Sequence, residues 1–194
     1  MNGNKTLSYK LMMTGKTTKS ARVFFALWPD DAERVALAAW QPALRKLCGG
    51  RIMHADTLHN TLVFLGDIEL QRLEALQLAA QEVDGEAFEL SFDTARYWGH
   101  NHIVYAAPNS LPPQLVQLVH DLEQRLVKHH FGFDKRFYKP HVTLLRHAQY
   151  SDDKPLPDMN RVVWYAKDLA LVQSMPDKAG ANYRVLAQIP LNSA

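Results

Sequence analysis

The chain has 194 residues, of which 47% are hydrophobic and 22% charged, and its formal net charge is +2. This composition predicts an ordinary soluble globular protein, built as one domain or as two closely packed lobes. The single cysteine, Cys48, excludes an intramolecular disulfide and a cysteine-based zinc site, which fits a cytoplasmic location. No apolar run approaches the roughly 20 residues that a membrane span requires, so no membrane association is expected.

Positive charge is concentrated in two segments. Residues 1–22 contain five basic residues and no acidic one, which predicts a basic arm over residues 1–21 ahead of one bilobal domain over residues 22–190. Residues 128–147 contain five basic residues, the last of which is Arg146, and one acidic residue. Proteins that coat nucleic acid spread their charge over a long face, so this local charge favours recognition of one phosphate group or one strand end. A solvated basic loop would have the same composition.

The first half of the domain begins with an apolar run at residues 22–28, which predicts a buried strand. A capping-box pattern then predicts a helix over residues 30–47, with a kink at Pro42 and two glycines at its end. The elements expected next are a short strand at residues 52–53, a strand at residues 59–66 and an amphipathic helix over residues 70–83.

The second half begins with segments 88–97 and 102–107, which alternate like the strands of a meander. Prolines in its first turn and five apolar residues at helical spacing predict a helix over residues 110–126. A basic, aromatic loop and a strand at residues 141–146 follow. The closing elements are a predicted pair of strands at residues 162–175 and 183–190.

The order strand, proline, helix, loop and His-x-Thr-Leu occurs twice, which indicates an internal duplication. Two similar halves would bring the two tetrapeptide strands to a shared cleft. The predicted fold class is therefore α+β and bilobal, with two small antiparallel sheets around a central cleft and helices on the outer faces.

The tetrapeptides at residues 59–62 (HNTL) and 141–144 (HVTL) are the candidate site. Because side chains of a strand alternate between its faces, His59 and Thr61 point the same way, and so do His141 and Thr143. An unperturbed imidazole has a pKa of about 6.5, so two of them can supply one proton acceptor and one proton donor at neutral pH. The threonine hydroxyls can donate hydrogen bonds to the oxygens of a phosphodiester. This set predicts a metal-independent cyclic phosphodiesterase acting on RNA-type ends.

Arg146 is a third candidate phosphate ligand, since a guanidinium binds phosphate oxygens well. Strict alternation would put Arg146 on the opposite face from Thr143, so its place in the site requires a bend. His100 and His102 are a candidate metal pair, but no third ligand stands at a matching spacing. Neither a metal ion nor a cofactor is therefore predicted.

The stretches RVFFALWP, LHNTLVFLG and KPHVTLLR, with H-x-T motifs 82 residues apart, resemble the two-histidine phosphoesterase superfamily. Within it they resemble the bacterial and archaeal RNA 2′,3′-cyclic phosphodiesterases, also called 2′-5′ RNA ligases. The resemblance covers about residues 22–190. One departure from the family pattern is Asn60, where the family commonly has an apolar residue.

The resemblance implies a role for each residue of the candidate site. His59 would be the proton donor to the departing 3′ oxygen and His141 the proton acceptor from water, and the product would be a 2′-phosphomonoester. Thr61, Thr143 and Arg146 would bind the phosphate. The reverse chemistry would join a cyclic phosphate end to a 5′-hydroxyl in a 2′-5′ linkage.

Two alternatives stay open at this point. One is a phosphodiesterase acting on another nucleotide, such as a 2′-5′ oligoadenylate or an ADP-ribose cyclic phosphate. The other is a non-catalytic protein that binds RNA ends through its basic segments. Because a duplicated chain completes its own cleft, a monomer is expected.

Overall fold

A computed structural model describes residues 19–151, 155–175 and 180–193. The predicted basic arm thus lies almost entirely outside the described residues. In chain order the elements are β1 (Ser20–Leu27), α1 (Asp31–Ala38), α2 (Gln41–Cys48), β2 (Arg51–Ile52), β3 (Asn60–Glu69), α3 (Leu73–Gln81), β4 (Phe88–Phe92), β5 (Thr94–Trp98), β6 (Ile103–Ala107), α4 (Pro113–Lys128), β7 (Val142–Arg146), β8 (Val162–Ala166), β9 (Asp168–Ser174) and β10 (Tyr183–Pro190). Short 3-10 helices precede β3 and α3.

The main sheet consists of two antiparallel halves joined at one pair of residues. One half has the strand order β10-β9-β1-β3, and in the other half β7 pairs with β6, which pairs with β5. The halves meet where Asn60 of β3 pairs with Val142 of β7. Strands β4 and β8 form a separate antiparallel ribbon. The predicted α+β class is confirmed.

The pairing repeats from one half to the other. We call β3 and β7 the motif strands, because the two His-x-Thr motifs lie at their starts. In each half a helical segment separates the motif strand from the earlier strand with which it pairs, β1 for β3 and β6 for β7. The loop before each motif strand also reaches into the other half. Met53 N donates to Leu144 O at 3.0 Å, and Asp134 N donates to Phe64 O at 2.9 Å. This exchange fixes the two motif strands beside each other at the centre of the sheet.

The helices cover the face of the sheet that is opposite to the cleft. Val23, Phe25 and Leu27 of β1 belong to this core, together with the buried side chains of the helices. The five buried residues of α4 are those predicted from the helical spacing, Leu115, Leu118, Val119, Leu122 and Leu126. The alternate residues of β1, Phe24 and Ala26, face the cleft in a smaller apolar cluster. Strand β1 is therefore apolar on both faces, as its continuous run predicts.

Three segments predicted as single helices or strands are each two elements in the structure. The kinked helix over residues 30–47 is in fact two helices, because Pro42 lies in the first turn of α2, where its missing N–H costs nothing. The capping box between Asp30 and Glu33 is confirmed at the start of α1. Segments 88–97 and 162–175 are each divided into two strands, because β4 and β8 leave the main sheet to pair with each other.

No helix in the described part of the chain is long and apolar enough to cross a membrane.

Candidate active site

The two motif strands contribute to one cavity of about 300 Å³ on the face of the sheet away from the helices. All five residues predicted for the site line it: His59, Thr61, His141, Thr143 and Arg146. Both histidines and both threonines are partly buried, whereas Arg146 is exposed. The duplicated strands thus bring two imidazoles, two hydroxyls and one guanidinium to the same space.

A β-bulge in each motif strand explains how a residue three positions after the threonine reaches the cavity. Tyr105 of β6 is opposite Thr143 and Val104 is opposite Leu145, so Leu144 is the extra residue. In β3 the extra residue is Leu62, between the pairs formed by Thr61 and Val63. A bulge resets the alternation of side chains. The bend that Arg146 requires is therefore supplied by the leucine of the motif itself.

Each imidazole is held by a hydrogen bond of the same kind, from Nδ1 to the backbone carbonyl two residues earlier. Nδ1 of His59 lies 2.8 Å from Thr57 O, and Nδ1 of His141 lies 2.7 Å from Lys139 O. Since a carbonyl oxygen only accepts, Nδ1 carries the hydrogen in both rings. Nε2 of each neutral ring is then an acceptor. In the first motif Nε2 of His59 is 3.1 Å from the Thr61 hydroxyl, which donates to it.

His59 is enclosed by aromatic rings. Trp28 stacks on it at 5.4 Å between ring centroids, and Phe24 and Tyr183 approach it at 4.9 Å each. Burial lowers the pKa of His59 to about 4, and the charges of His141 and Arg146 contribute in the same direction. His59 is therefore a neutral imidazole near pH 7.

His141 has a more open environment. Trp98 contacts its ring edge-on at 4.7 Å and Tyr105 at 5.7 Å, and the imidazole also borders a second groove beyond the cavity. Burial lowers the pKa of His141, and Arg146 adds to the effect. Both histidines thus titrate below their ordinary range before an anion enters the site.

A buried polar side chain connects the two motifs. Asn60 is fully buried at the junction of the two sheet halves. Its Oδ1 accepts a hydrogen bond from the backbone N–H of His141 at 3.2 Å, and its Nδ2 donates to the Tyr138 hydroxyl at 3.1 Å. The polar side chain that replaces the family's apolar residue therefore has hydrogen-bond partners in the protein interior. It ties the second histidine to the first motif strand.

Arg22, Ser174 and Tyr183 are among the other residues that line the cavity and that the sequence did not predict for the site. Arg22 lies over the Phe64 ring at 4.8 Å, and Ser174 and Tyr183 border the same space. Arg22 had a detectable signal, since it stands two residues from Phe24 on β1 and shares its face. Ser174 and Tyr183 had none, because the pairing of β9 and β10 brings them to the site from the end of the chain.

The described residues contain no group of three or more histidine, cysteine or acidic side chains arranged to hold a metal ion. His100 and His102 are both exposed. Nδ1 of His102 lies 3.2 Å from the Tyr97 hydroxyl.

A duplicated α+β fold with two His-x-Thr strands around one cavity defines a two-histidine phosphoesterase. The chain belongs to the 2′-5′ RNA ligase superfamily, whose family profile matches residues 28–174. It is 31% identical over 139 residues to the RNA 2′,3′-cyclic phosphodiesterase of Escherichia coli K12, covering 72% of this chain and 79% of that protein. It is also 27% identical over 128 residues to the RNA 2′,3′-cyclic phosphodiesterase of Archaeoglobus fulgidus, covering 64% of this chain and 72% of that one.

Solved structures agree with this assignment. The crystal structure of E. coli LigT complexed with 3′-AMP superposes with a TM-score of 0.79 at 28% sequence identity. The match covers 89% of this chain and 99% of LigT. The structural likeness thus extends well beyond the motif strands.

Proposed function

We propose that this protein hydrolyses the 2′,3′-cyclic phosphate ends of RNA or nucleotides to 2′-phosphomonoesters, by metal-independent proton transfer between two histidines. The observation that carries the proposal is the cavity in which Nε2 of His59 and Nε2 of His141 accompany two hydroxyls and Arg146. Two relatives named RNA 2′,3′-cyclic phosphodiesterase support the reaction class. LigT has been crystallised with 3′-AMP, phosphate, NADP+ and ATP, which supports a cleft for phosphorylated nucleotides.

In the proposed reaction, Nε2 of His141 takes a proton from a water molecule whose oxygen attacks phosphorus. The bond between phosphorus and the 3′ oxygen breaks, and Nε2–H of His59 protonates that oxygen. The hydrogen bonds from Nδ1 to Thr57 O and Lys139 O keep both rings in the tautomer that each step needs. A strained five-membered cyclic diester needs little more than this acid, this base and donors for its oxygens.

The assignment of the base to His141 is supported by the surroundings of the two rings. Phe24, Trp28 and Tyr183 enclose His59, whereas His141 borders a second groove. A nucleophile that arrives from solvent therefore reaches the His141 side more easily. In-line attack then puts the leaving oxygen on the side of His59.

The phosphate would be held by Thr61, Thr143 and Arg146, whose hydroxyls and guanidinium donate to its non-bridging oxygens. The bound anion also counteracts the positive charges that depress the pKa of His59. Substrate binding thus favours the protonated His59 that the leaving oxygen requires.

At the same site a 5′-hydroxyl can replace water as the nucleophile, which opens the cyclic phosphate and joins the two ends in a 2′-5′ linkage. A monomer suffices for either reaction, since both motif strands come from one chain. RNA ends in the cytoplasm are the substrates that this proposal implies.

The test is hydrolysis of a nucleoside 2′,3′-cyclic phosphate in excess EDTA, with the 2′- and 3′-phosphate products separated. The 2′-phosphate is expected, and His59→Ala and His141→Ala should each lower kcat/KM by about 10²- to 10⁴-fold. His120→Ala is the matched control, because His120 is exposed on α4 and its ring pairs with Gln124.

The alternatives predict other results. A protein that only binds RNA ends would show no turnover with any cyclic substrate, while retaining affinity for a phosphorylated end. A phosphodiesterase for another nucleotide would hydrolyse a 2′-5′ oligoadenylate or an ADP-ribose cyclic phosphate with a higher kcat/KM than an RNA end. Loss of turnover in EDTA would refute the metal-independent mechanism.

A further inference from the structure

Gln41 is a buried polar side chain beside the second motif strand. It is the first residue of α2, is 4% exposed and is not among the described residues that line the cavity. Its Nε2 donates to Met53 O at 2.8 Å and to Leu144 O at 3.1 Å. A carboxamide nitrogen has two hydrogens, so both are used on backbone carbonyls of other segments. Gln41 thus joins α2 to β7 and to the residue that follows β2.

One of these carbonyls belongs to the bulge of β7. Leu144 is the residue that has no partner on β6, and a bulge locally disrupts the hydrogen bonds of the ladder. On the side of β2, Leu144 O also accepts from Met53 N at 3.0 Å. This carbonyl therefore accepts two hydrogen bonds, one from the backbone after β2 and one from the side chain of Gln41. Neither of them comes from the strand opposite the bulge.

The bulge decides where Arg146 points. Without it, the alternation of side chains would place Arg146 on the face opposite to Thr143, whereas with it both residues line the cavity. The side chains of Leu144 and Leu145 are both fully buried in the core. Apolar burial is non-directional, so the packing of these leucines does not by itself specify where the Leu144 carbonyl lies. The hydrogen bond from Gln41 does.

The second carbonyl connects Gln41 to the strand beside Arg146. Met53 borders the cavity, and it directly follows β2, in which Arg51 pairs with Arg146. The backbone of Arg146 is thus positioned from two directions, by the bulge two residues earlier and by the neighbouring strand. Gln41 holds both of these segments through a single nitrogen atom.

We propose that Gln41 is a positioning residue for Arg146. Its carboxamide holds the bulged Leu144 and the end of β2, and the guanidinium of Arg146 therefore enters the cavity beside Thr143. Gln41 touches no substrate atom and acts only through Arg146. This inference rests on the proposed function for the role of Arg146 as a phosphate ligand, whereas the position of the guanidinium is a property of the folded protein.

The test combines Gln41→Met and Arg146→Ala in a double-mutant cycle. Methionine is an unbranched side chain of similar length that donates no hydrogen bond. One measurement is kcat/KM for adenosine 2′,3′-cyclic phosphate, and the other is an NMR titration of the His141 imidazole. Burial lowers the pKa of His141, and the charge of Arg146 lowers it further. The titration therefore reports the position of Arg146 without any turnover.

We expect Arg146→Ala to lower kcat/KM by about 100-fold and Gln41→Met by about ten-fold, within the range for hydrogen bonds to a charged group. The double variant should match Arg146→Ala within about two-fold, because Gln41 has no effect once the guanidinium is gone. Gln41→Met should raise the pKa of His141, in the same direction as Arg146→Ala, and the double variant should raise it no further than Arg146→Ala does.

Two further variants complete the experiment. Gln41→Asn keeps a carboxamide but is one methylene shorter and cannot reach both carbonyls, so it replaces Gln41→Met if that variant does not fold. Val119→Ala is the control for lost stability, because Val119 is buried on α4, outside the segments that Gln41 connects. It should lower the free energy of unfolding in urea and leave kcat/KM and the pKa of His141 at their wild-type values.

Three results would overturn the inference. An unchanged pKa of His141 in the Gln41 variant would show that Arg146 keeps its position without the carboxamide. A loss in the double variant equal to the product of the two single losses would mean that Gln41 acts on another part of the site, such as Met53. Equal changes in Val119→Ala would assign the effect to stability alone. Absence of turnover in the wild type would reject the proposed function, and the titration would still decide whether Gln41 positions Arg146.

Discussion

The two motif strands hold their histidines in the same way. In each strand the imidazole donates from Nδ1 to the carbonyl two residues earlier, and the leucine of the motif is the bulged residue. The duplicated backbone therefore repeats the orientation of the imidazole and the turn of the strand towards the cleft. It does not repeat the surroundings of the two rings.

Three positions make the halves unequal. The residue after the histidine is Asn60 in one half and Val142 in the other, and these two face each other across the junction. The residue that the bulge turns into the cavity is Phe64 in one half and Arg146 in the other. Arg22 lies over the Phe64 ring and supplies a cation to the first half from a neighbouring strand. Duplication thus supplies two imidazoles in the same orientation, and substitution around them gives each different surroundings.

The largest effect on this comparison is expected from the threonines. The Thr61 hydroxyl must release Nε2 of His59, 3.1 Å away, before it can bind a phosphate oxygen. In the described part of the chain, no such bond connects Thr143 to His141, so the full donor strength of Thr143 is available. Thr143→Val should lower kcat/KM for a 2′,3′-cyclic phosphate by about 100-fold, and Thr61→Val by less.

Thr94→Val is a suitable control for the threonine variants, because the Thr94 hydroxyl bonds to the adjacent Asp93 outside the cavity. Its kcat/KM should equal that of wild type. A larger loss in Thr61→Val than in Thr143→Val would contradict the proposed difference between the two motifs.

Asn60 allows the junction itself to be broken. Asn60→Leu would restore the apolar residue that the family pattern leads one to expect, but it would leave the Tyr138 hydroxyl and the His141 N–H without a buried partner. The free energy of unfolding, measured in urea, should fall by about 1–3 kcal/mol. The value of kcat should also fall, because the backbone of His141 loses its link to the first motif strand.

A second substitution separates these causes. Tyr138→Phe in the Asn60→Leu background removes the unpaired hydroxyl, so part of the lost stability should return. The lost kcat should not return, since the His141 N–H still has no partner. Full stability in the Asn60→Leu single variant would show that the hydrogen bonds at the junction contribute nothing net.

The sequence predicted the features of the site and of the fold that depend on local pattern. The two His-x-Thr pairs, the capping box and the apolar positions of α4 follow from short-range spacing, and the described structure has them as expected. The sequence placed Arg146 in the site only if the strand bends, and it did not show what causes the bend. The cause is a β-bulge, which is a property of two paired strands and is not visible in the sequence of one strand.

Features that depend on long-range pairing were not predicted. The pairing of β4 with β8 outside the main sheet brings together residues 70 to 78 positions apart. Tyr183 reaches His59 through the pairing of β10 with β9 and of β9 with β1. The polar partners of Asn60 lie 78 and 81 residues away. Local propensity contains no information about such contacts.

The pH dependence of the reaction tests the electrostatic side of the comparison. In the proposed mechanism the active form of the free protein has one imidazole protonated and the other neutral, and kcat/KM would report the pKa values of that form. Both pKa values lie below their ordinary range, that of His59 at about 4. A bell-shaped profile of kcat/KM is therefore expected with both limbs on the acid side of pH 6.5. Above that pH it should fall by about ten-fold per unit as the second proton is lost.

Opening the aromatic enclosure of His59 should move only the acid limb of this profile. Trp28→Ala removes the ring that stacks on His59 at 5.4 Å, so water can reach the imidazole and its pKa rises towards about 6.5. The acid limb should then shift from about pH 4 towards neutrality, while the alkaline limb, which depends more on His141, stays in place. The profile of kcat should lie at higher pH than that of kcat/KM in both proteins, because the bound phosphate anion favours protonated imidazole. A wild-type optimum of kcat/KM above pH 7, or a Trp28→Ala profile identical to wild type, would mean that burial by the aromatic rings does not set the difference between the two histidines.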